Sequence, residues 1–292
     1  MEMIQNSSTS SFKHYLDASL TTPHAPVSVA LIGTGGNGGP VLTELARMHV
    51  ALRALGHAGL NVYAFDDDRV EEPNIGRQLF SRGEKGRNKA EALVTRVNCF
   101  FDLRWEAYPW RVDKDNIGEL AELCRRRNLQ IVITAVDNAE TRLLIWNSLR
   151  HVGPFYFLDM GNSRETGQCI LGVLGGVIKQ PRRAGCMGYL PTTVDLYPDI
   201  GIQDKEERQG PSCSIKEALE RQDLFINRIV AEFAVDLLWK GFREGYITVH
   251  GVYVNLKTMH VRPLPVDPAT WERMGWAYRK RKAVTGRVLK AA

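Results

Sequence analysis

The chain has 292 residues, 44% of them hydrophobic and 24% charged, a composition typical of a globular protein with one large domain or two small ones. The longest apolar stretch, residues 169–178, is too short to span a bilayer, and no apolar run follows a basic start. We therefore expect a cytoplasmic protein with no secretory signal and no membrane partner. The net charge of +5 is too diffuse to indicate a nucleic-acid partner.

The cysteines argue against two kinds of covalent or metal framework. They lie at positions 99, 124, 169, 186 and 213, and no two of them form a Cys-x-x-Cys pair. An odd number without close spacing indicates neither a disulfide framework nor a tetrathiolate zinc site. We therefore expect reduced thiols and no zinc, with Cys99, Cys124 and Cys169 packed inside helices or strands.

Strand and helix patterns alternate over the first 160 residues or so. In chain order, the patterns predict a strand at 27–33, a helix from Pro40, a strand at 60–65, helices at 89–100 and 116–127, a strand at 130–136, a helix at 139–149 and a strand at 155–160. This order predicts an α/β fold with a Rossmann-like, doubly wound, mostly parallel sheet. Ligands of such sheets bind at the carboxyl ends of the strands.

The second half of the chain predicts an antiparallel extension. A strand at 167–173 is followed by a Pro- and Gly-rich crossover loop at 179–213, a helix at about 223–240, and a strand pair at 247–254 and 258–262. Before the helix, Ser214 and Glu217 have capping-box spacing. We therefore divide the chain into an N-terminal extension (1–26), a single domain (27–265) and a basic C-terminal tail (266–292).

A glycine turn joins the first strand to its helix. Gly33, Gly35, Gly36 and Gly38 form a G-x-G-x-x-G pattern and an adjoining glycine. Without side chains, backbone N–H groups and the helix N-terminus can approach a phosphate closely. Asp66 ends the next strand, where a carboxylate can accept hydrogen bonds from ribose hydroxyls, although three aspartates in a row can also simply open a polar loop.

The segment after Asp66 is more specific. It reads Asp-x-Asp-x-Val at 66–70, Asn-x-x-Arg-Gln at 74–78 and Gly-x-x-Lys-Ala at 86–90, and Asp137 and Asn138 follow a later strand. This pattern resembles the nucleotide loop of the ThiF/MoeB/HesA family, which includes ubiquitin-activating enzymes. The resemblance implies an ATP-dependent adenylyltransferase that activates the C-terminal carboxylate of a small ubiquitin-like protein, with 27–265 as the adenylation domain.

The resemblance also implies roles for individual residues. Asp66 would hold the ribose, and Asp137 would bind Mg²⁺. The triphosphate would be contacted by Asn74, Arg77 and Lys89, with Asp68, Gln78 and Asn138 completing the nucleotide site. Cations beside a leaving pyrophosphate stabilise its developing charge, and a carboxylate nucleophile is already ionised at neutral pH, so no general base is required.

The chain departs from the family pattern in two respects. It lacks the paired Cys-x-x-Cys zinc ligands. Many members of the family also contribute an N-terminal arginine to the ATP of a partner subunit, whereas the first arginine here is Arg47, in the predicted helix after the glycine turn. Lys13 or His14 could substitute, or one subunit could hold a complete site. Residues 211–227 resemble the ThiF-type protein of bacterial PRTRC plasmid cassettes, which implies a co-encoded small β-grasp protein as substrate.

Two further expectations concern assembly and acyl transfer. The family resemblance implies a homodimer. For a thiol acceptor we favour Cys213 over Cys186, because Cys213 precedes a predicted helix N-terminus, where partial positive charge favours the thiolate. The implied catalytic set is therefore Arg77, Lys89, Asp137 and Cys213.

Two other functions compete with adenylation. An NAD-dependent oxidoreductase has the same type of fold, but a nicotinamide site has no use for so many phosphate-reaching groups. A non-catalytic nucleotide-binding scaffold would bind ATP without exchanging pyrophosphate.

Overall fold

The computed structural model describes residues 12–200 and 222–276. Its strands are β1 (His14–Tyr15), β2 (Val27–Ile32), β3 (Leu60–Phe65), β4 (Glu106–Tyr108), β5 (Ile131–Thr134), β6 (Phe155–Asn162), β7 (Thr166–Leu174), β8 (Tyr246–Ile247), β9 (Val249–Asn255) and β10 (His260–Pro265). Its α-helices are α1 (Ala18–Thr21), α2 (Gly38–Ala54), α3 (Lys89–Phe101), α4 (Ile117–Arg126), α5 (Ala139–Leu149), α6 (Thr193–Leu196), α7 (Ile226–Glu244) and α8 (Pro268–Arg273). The predicted Cys213, the capping box at Ser214 and Glu217, and the tail beyond 276 lie outside the described residues.

Eight strands form one sheet in the order β10-β9-β7-β6-β5-β2-β3-β4. The pairings from β6 to β4 are parallel. The pairings β6-β7, β7-β9 and β9-β10 are antiparallel. This arrangement confirms the predicted Rossmann-like fold with an antiparallel C-terminal extension.

Helices cover both faces of the sheet. All six residues of β2 are buried, which explains why its sequence is nearly continuous in apolar residues rather than alternating. Val29 and Leu31 pack on the face covered by α2, α3 and α7, whereas Ala30 and Ile32 pack on the face covered by α4 and α5. Among the described residues, no helix has the length and apolarity needed to cross a bilayer.

The cysteine assignments are partly wrong. Cys124 and Cys169 are buried as predicted, and burial raises the pKa of each thiol to about 12. Cys99 is exposed instead. It lies on α3, whose buried face is formed by neighbours such as Leu93 and Val97, and this register turns position 99 toward solvent.

The described part of the N-terminal extension, residues 12–26, packs against the domain. His14 is fully buried, where its Nδ1 contacts the carbonyl oxygen of Met187 at 2.6 Å and its Nε2 contacts the hydroxyl of Tyr156 at 2.9 Å. The prediction that His14 could reach a partner's nucleotide is therefore wrong, since its own core holds the imidazole. Lys13 lies with its Nζ 3.9 Å from the centroid of the Tyr246 ring, outside the crevice described below.

A second imidazole is buried beside α8. His250 Nδ1 lies 2.9 Å from the carbonyl oxygen of Leu171, and His250 Nε2 accepts a hydrogen bond from Trp271 Nε1 at 2.9 Å. A carbonyl can only accept and an indole N–H can only donate, so these contacts require the neutral imidazole. Burial lowers the pKa of both His14 and His250 from 6.5 to about 4.

We expect these two histidines to make the fold sensitive to mild acid. The unfolded chain binds protons at both sites below pH 6.5, whereas the folded chain does so only near pH 4, so stability falls as pH drops through that window. The free energy of unfolding should decrease by about 1.4 kcal/mol per histidine per pH unit. Urea denaturation at pH 7.0 and pH 5.0 measures this decrease.

The variant His250→Gln isolates the effect. It should lose a large part of the pH dependence whatever its absolute stability, whereas His260→Gln, at an exposed position on β10, should keep the wild-type dependence. A His250→Gln protein with the full wild-type slope would contradict the assignment.

Candidate nucleotide site

A polar crevice of about 580 Å³ opens at the carboxyl ends of β2, β3, β5 and β6. It is lined by most of the residues that the sequence pattern singled out: Gly33, Gly35, Gly36, Asp66, Asp68, Arg77, Gln78, Lys89, Asp137 and Asn138. The parallel part of the sheet brings these residues together, because the carboxyl ends of parallel strands share one edge.

The glycine turn is built by close backbone contacts. Gly33 has a φ of +90°, and a Cβ there would lie 2.7 Å from the carbonyl oxygen of Ala135. A Cβ at Gly36 would lie 2.7 Å from Nδ2 of Asn227, in the first turn of α7. Gly38 does not line the crevice, since it packs against the Gly33 carbonyl and closes the turn.

We expect two neighbouring glycines to respond differently to alanine. Gly36→Ala should destabilise the protein by about 1–3 kcal/mol, because the new methyl group displaces Asn227. At Gly35 the nearest atoms to a Cβ belong to Gln78, at 3.8 Å, so Gly35→Ala should leave the free energy of unfolding unchanged. Its methyl group would project into the crevice and weaken ATP binding. Urea denaturation measures the loss of stability, and calorimetric titration measures the ATP affinity. Equal losses of stability in Gly35→Ala and Gly36→Ala would contradict the prediction.

Asp66 connects the end of β3 to the glycine turn. Its carboxylate accepts hydrogen bonds from Thr34 N at 2.6 Å, from Thr34 Oγ1 at 2.9 Å and from Asp68 N at 3.0 Å. Burial raises the pKa of Asp66 above its usual value, and the hydrogen bonds from Thr34 oppose this shift. The predicted ribose ligand therefore also holds the loop in place.

Lys89 is a buried cation at the start of α3. Only 8% of its side chain is exposed, and its Nζ lies 2.7 Å from a carboxylate oxygen of Asp68, which is 64% exposed. Among the described residues, the carboxylates of Asp66, Asp67 and Asp68 form a cluster within 4.8 Å. Lys89 thus carries positive charge into an otherwise acidic edge of the crevice.

Three buried polar atoms along the crevice have no hydrogen-bond partner within the described part of the chain. They are Nε of Arg77, Oε1 of Gln78 and Oδ1 of Asn37. Arg77 also donates through Nη1 to Oε1 of Gln222 at 2.8 Å, and burial lowers the pKa of its guanidinium. Buried polar atoms are costly without partners, so this crevice fits a polar ligand that supplies them.

The end of β5 offers hard oxygen donors. Asp137 is exposed, and its Oδ1 accepts a hydrogen bond from Asn138 Nδ2 at 3.1 Å. Asn138 in turn caps α5 by accepting from Thr141 N at 2.8 Å. A carboxylate at a strand end, with room for water, fits the preference of Mg²⁺ for oxygen ligands and retained waters.

Asn74 lies outside the crevice lining. Its Oδ1 accepts a hydrogen bond from Glu71 N at 2.9 Å, within a capping box around the 3₁₀ turn Glu72–Asn74. Its predicted contact with the triphosphate therefore stays a prediction.

Several residues that line the crevice were not predicted from the sequence. Asn37 Nδ2 donates to Asn162 Oδ1 at 2.7 Å, which joins the glycine turn to the β6–β7 hairpin. Trp110 lies edge-on to Phe65 with ring centroids 5.0 Å apart, and it lines the crevice beyond β4. The position of Asn37 inside the glycine pattern was an available signal, whereas Trp110 follows a strand that the sequence did not indicate.

A sequence model described as the ThiF family matches residues 24–262. Ubiquitin-like modifier-activating enzyme 5 of Xenopus laevis is 24% identical over 196 residues, covering 64% of this chain and 45% of that enzyme. Ubiquitin-activating enzyme E1 1 of Schizosaccharomyces pombe is 30% identical over 125 residues, 41% of this chain and 12% of that enzyme. The chain spans about half or less of the length of these relatives.

Solved structures share the fold at low sequence identity. E. coli MccB solved with ATP gives a TM-score of 0.55 at 15% identity, covering 82% of this chain and 63% of that chain. A selenomethionine form of PaaA gives a TM-score of 0.55 at 15% identity, with 82% and 64% covered. This chain therefore spans less than two thirds of either structure, and both likenesses concern the fold.

Proposed function

Because the chain belongs to the ThiF family, we propose that its crevice binds ATP and activates a carboxylate as an acyl-adenylate. The observation that carries this proposal is the joint placement of Arg77, Lys89 and Asp137 around one strand-end crevice. Two cations and an oxygen donor for a metal suit a triphosphate, and the unpartnered atoms of Arg77 and Gln78 give a polar ligand further contacts.

The proposed reaction is a displacement at the α-phosphorus of ATP. A carboxylate oxygen forms a bond to that phosphorus while the bond to the bridging oxygen of pyrophosphate breaks, so the products are an acyl-adenylate and pyrophosphate. Lys89 and Arg77 would stabilise the charge that grows on the leaving oxygens. The ionised carboxylate needs no proton removed, so the crevice requires no general base.

Asp137, with Asn138 beside it, would hold Mg²⁺. The ion would supply electrostatic neutralisation of the phosphate oxygens. Asp66 would position the nucleotide by accepting hydrogen bonds from the ribose hydroxyls.

We propose that the carboxylate belongs to the C-terminus of a small ubiquitin-like protein. Two relatives support this proposal, because one is an activating enzyme for ubiquitin and the other an activating enzyme for a ubiquitin-like modifier. The side of the crevice near β6 and β7 carries the polar side chains of Asn162, Ser163, Thr166 and Gln168, which suit an extended peptide that presents amide groups. The PRTRC branch, a homodimer and transfer to Cys213 stay predictions.

The proposal is tested by exchange of radiolabelled pyrophosphate into ATP. The wild-type protein would be incubated with a panel of small β-grasp proteins, each with a free C-terminus and with a C-terminal amide. We expect exchange with at least one free C-terminus and none with its amide. The proposal would be contradicted if the products were ADP and orthophosphate, or if exchange were equally fast with the C-terminal amide and with the free C-terminus. ATP binding without exchange for every β-grasp protein would favour the scaffold.

A further inference from the structure

Arg142 and Asp159 form a buried ion pair beneath the crevice. Their side chains are 8% and 0% exposed, and Arg142 Nε lies 2.7 Å from Asp159 Oδ1. The same carboxylate oxygen accepts a hydrogen bond from Thr134 Oγ1 at 2.5 Å, at the end of β5. The pair therefore joins α5 to the ends of β5 and β6.

The guanidinium makes two further contacts to backbone. Its Nη2 donates to the carbonyl oxygen of Val136 at 3.2 Å and to that of Met160 at 3.0 Å. The Val136 carbonyl shares its peptide plane with the backbone nitrogen of Asp137. A contact to this carbonyl therefore constrains the peptide from which the Asp137 side chain starts.

The contact to Met160 acts on the opposite wall of the crevice. Met160 precedes Gly161 and Asn162, and Asn162 Oδ1 accepts the hydrogen bond from Asn37 of the glycine turn at 2.7 Å. One planar side chain thus connects the wall that carries Asp137 with the wall that contacts the glycine turn. Arg142 itself lines the crevice.

Stability alone gives no reason for this arrangement. Removing two charges from water offsets most of their mutual attraction, and apolar replacements of buried pairs are often neutral or stabilising. Here Asp159 Oδ2 also has no hydrogen-bond partner within the described residues. A fork of donors that fixes two strand ends, in contrast, requires a guanidinium, because a lysine ammonium lacks its planar geometry.

We propose that Arg142, held by Asp159, is a positioning residue that sets Asp137 for Mg²⁺-dependent binding of ATP. The inference rests on the proposed function for the metal role of Asp137. Residues that orient a metal ligand from behind commonly change metal affinity by about 10- to 100-fold when they are removed. The effect should therefore appear in the Mg²⁺ dependence of binding.

The test is calorimetric titration with ATP over a series of MgCl₂ concentrations and in EDTA, with no protein substrate present. The double variant Arg142→Met, Asp159→Leu removes both charges and leaves neither unpaired. We expect its half-saturating Mg²⁺ concentration to rise about 10- to 100-fold, with binding in EDTA and the melting temperature not reduced. Arg142→Lys, which keeps a charge opposite Asp159, should shift in the same direction if the double variant does not fold.

A control and a second background separate positioning from a structural role. Arg126→Met, Glu122→Gln removes an exposed ion pair of α4, in which Arg126 Nε lies 2.9 Å from Glu122 Oε1, and should leave the Mg²⁺ dependence unchanged. In an Asp137→Asn background, the Arg142 and Asp159 substitutions should add no further shift, because positioning acts through Asp137. A wild-type Mg²⁺ dependence in both Arg142 variants would overturn the inference.

Failure of the proposed function gives a different result. Wild-type ATP binding that ignores Mg²⁺ would overturn the metal role of Asp137 together with this inference. Mg²⁺-dependent binding that shifts as expected, without pyrophosphate exchange, would contradict adenylation and support the positioning role of Arg142.

Discussion

The Lys89→Met variant is expected to lose pyrophosphate exchange by about 100- to 1,000-fold while keeping the wild-type fold. The magnitude is that of removing one pre-oriented group that stabilises charge in a transition state. Methionine keeps the apolar stem of a side chain that is 8% exposed, and the released Asp68 carboxylate is 64% exposed, so water can solvate it. The exchange rate and the melting temperature measure the two parts of the prediction.

Lys85→Met is the matched control for this variant. Lys85 precedes α3 by four positions and forms an ion pair with Glu72 at 3.2 Å, with 59% of its side chain exposed. Exposed pairs contribute at most about 1 kcal/mol. Lys85→Met should therefore exchange pyrophosphate at close to the wild-type rate. If Lys89→Met also exchanged pyrophosphate at close to the wild-type rate, Lys89 would have no part in the mechanism.

The Asp66→Ala variant is expected to weaken ATP binding by about 10- to 100-fold. Hydrogen bonds to a charged group contribute about 1.5–3 kcal/mol each, which corresponds to this range. The same carboxylate accepts three hydrogen bonds from Thr34 and Asp68, so the variant should also unfold at a lower temperature. Calorimetric titration with ATP and thermal denaturation measure the two effects.

Asp67 supplies the comparison. It is the exposed middle member of the aspartate triplet. Asp67→Ala should change neither the ATP affinity nor the melting temperature. ATP binding that is weakened by Asp67→Ala and not by Asp66→Ala would reverse the assignment of the ribose ligand.

Local patterns were sufficient for most of the sheet. The strands at Leu60–Phe65 and Ile131–Thr134 are apolar runs that end at polar residues. Their apolar residues are nearly continuous rather than alternating because both faces of the sheet are buried. Strand β4 was missed, because its three residues are half-buried and too short to show a period. The two-residue strand β1 was missed for the same reason, and its pairing with β8 depends on contacts between distant segments.

The candidate site divides in the same way. The glycines, Asp66 and Asp137 could be predicted, because each stands at or beside the carboxyl end of a recognisable strand. Lys89, at the start of α3, was indicated only by the Gly-x-x-Lys-Ala pattern that carries the family resemblance. The contact of Asn37 with Asn162 joins positions 125 residues apart and follows from sheet order, which no local pattern contains. The bond from Arg77 to Gln222 spans 145 residues and is of the same kind.

Arg142 shows the limit most clearly. No local pattern assigns this arginine a role. The positioning role proposed for Arg142 follows only from the folded structure, in which Asp159 of β6 lies opposite it and the carbonyl groups of Val136 and Met160 accept its hydrogen bonds. A motif identifies a residue, whereas its function depends on which strand ends the sheet brings to it.

Transfer of ¹⁸O from the substrate carboxylate to AMP tests the central claim most directly. A small protein that supports pyrophosphate exchange would be labelled with ¹⁸O at its C-terminal carboxylate, incubated with the enzyme and ATP, and released from the adenylate by hydroxylamine. If the carboxylate attacks the α-phosphorus, mass spectrometry will find one ¹⁸O atom in the phosphate of AMP. AMP without the label, or ADP with orthophosphate in its place, would contradict the proposed adenylation.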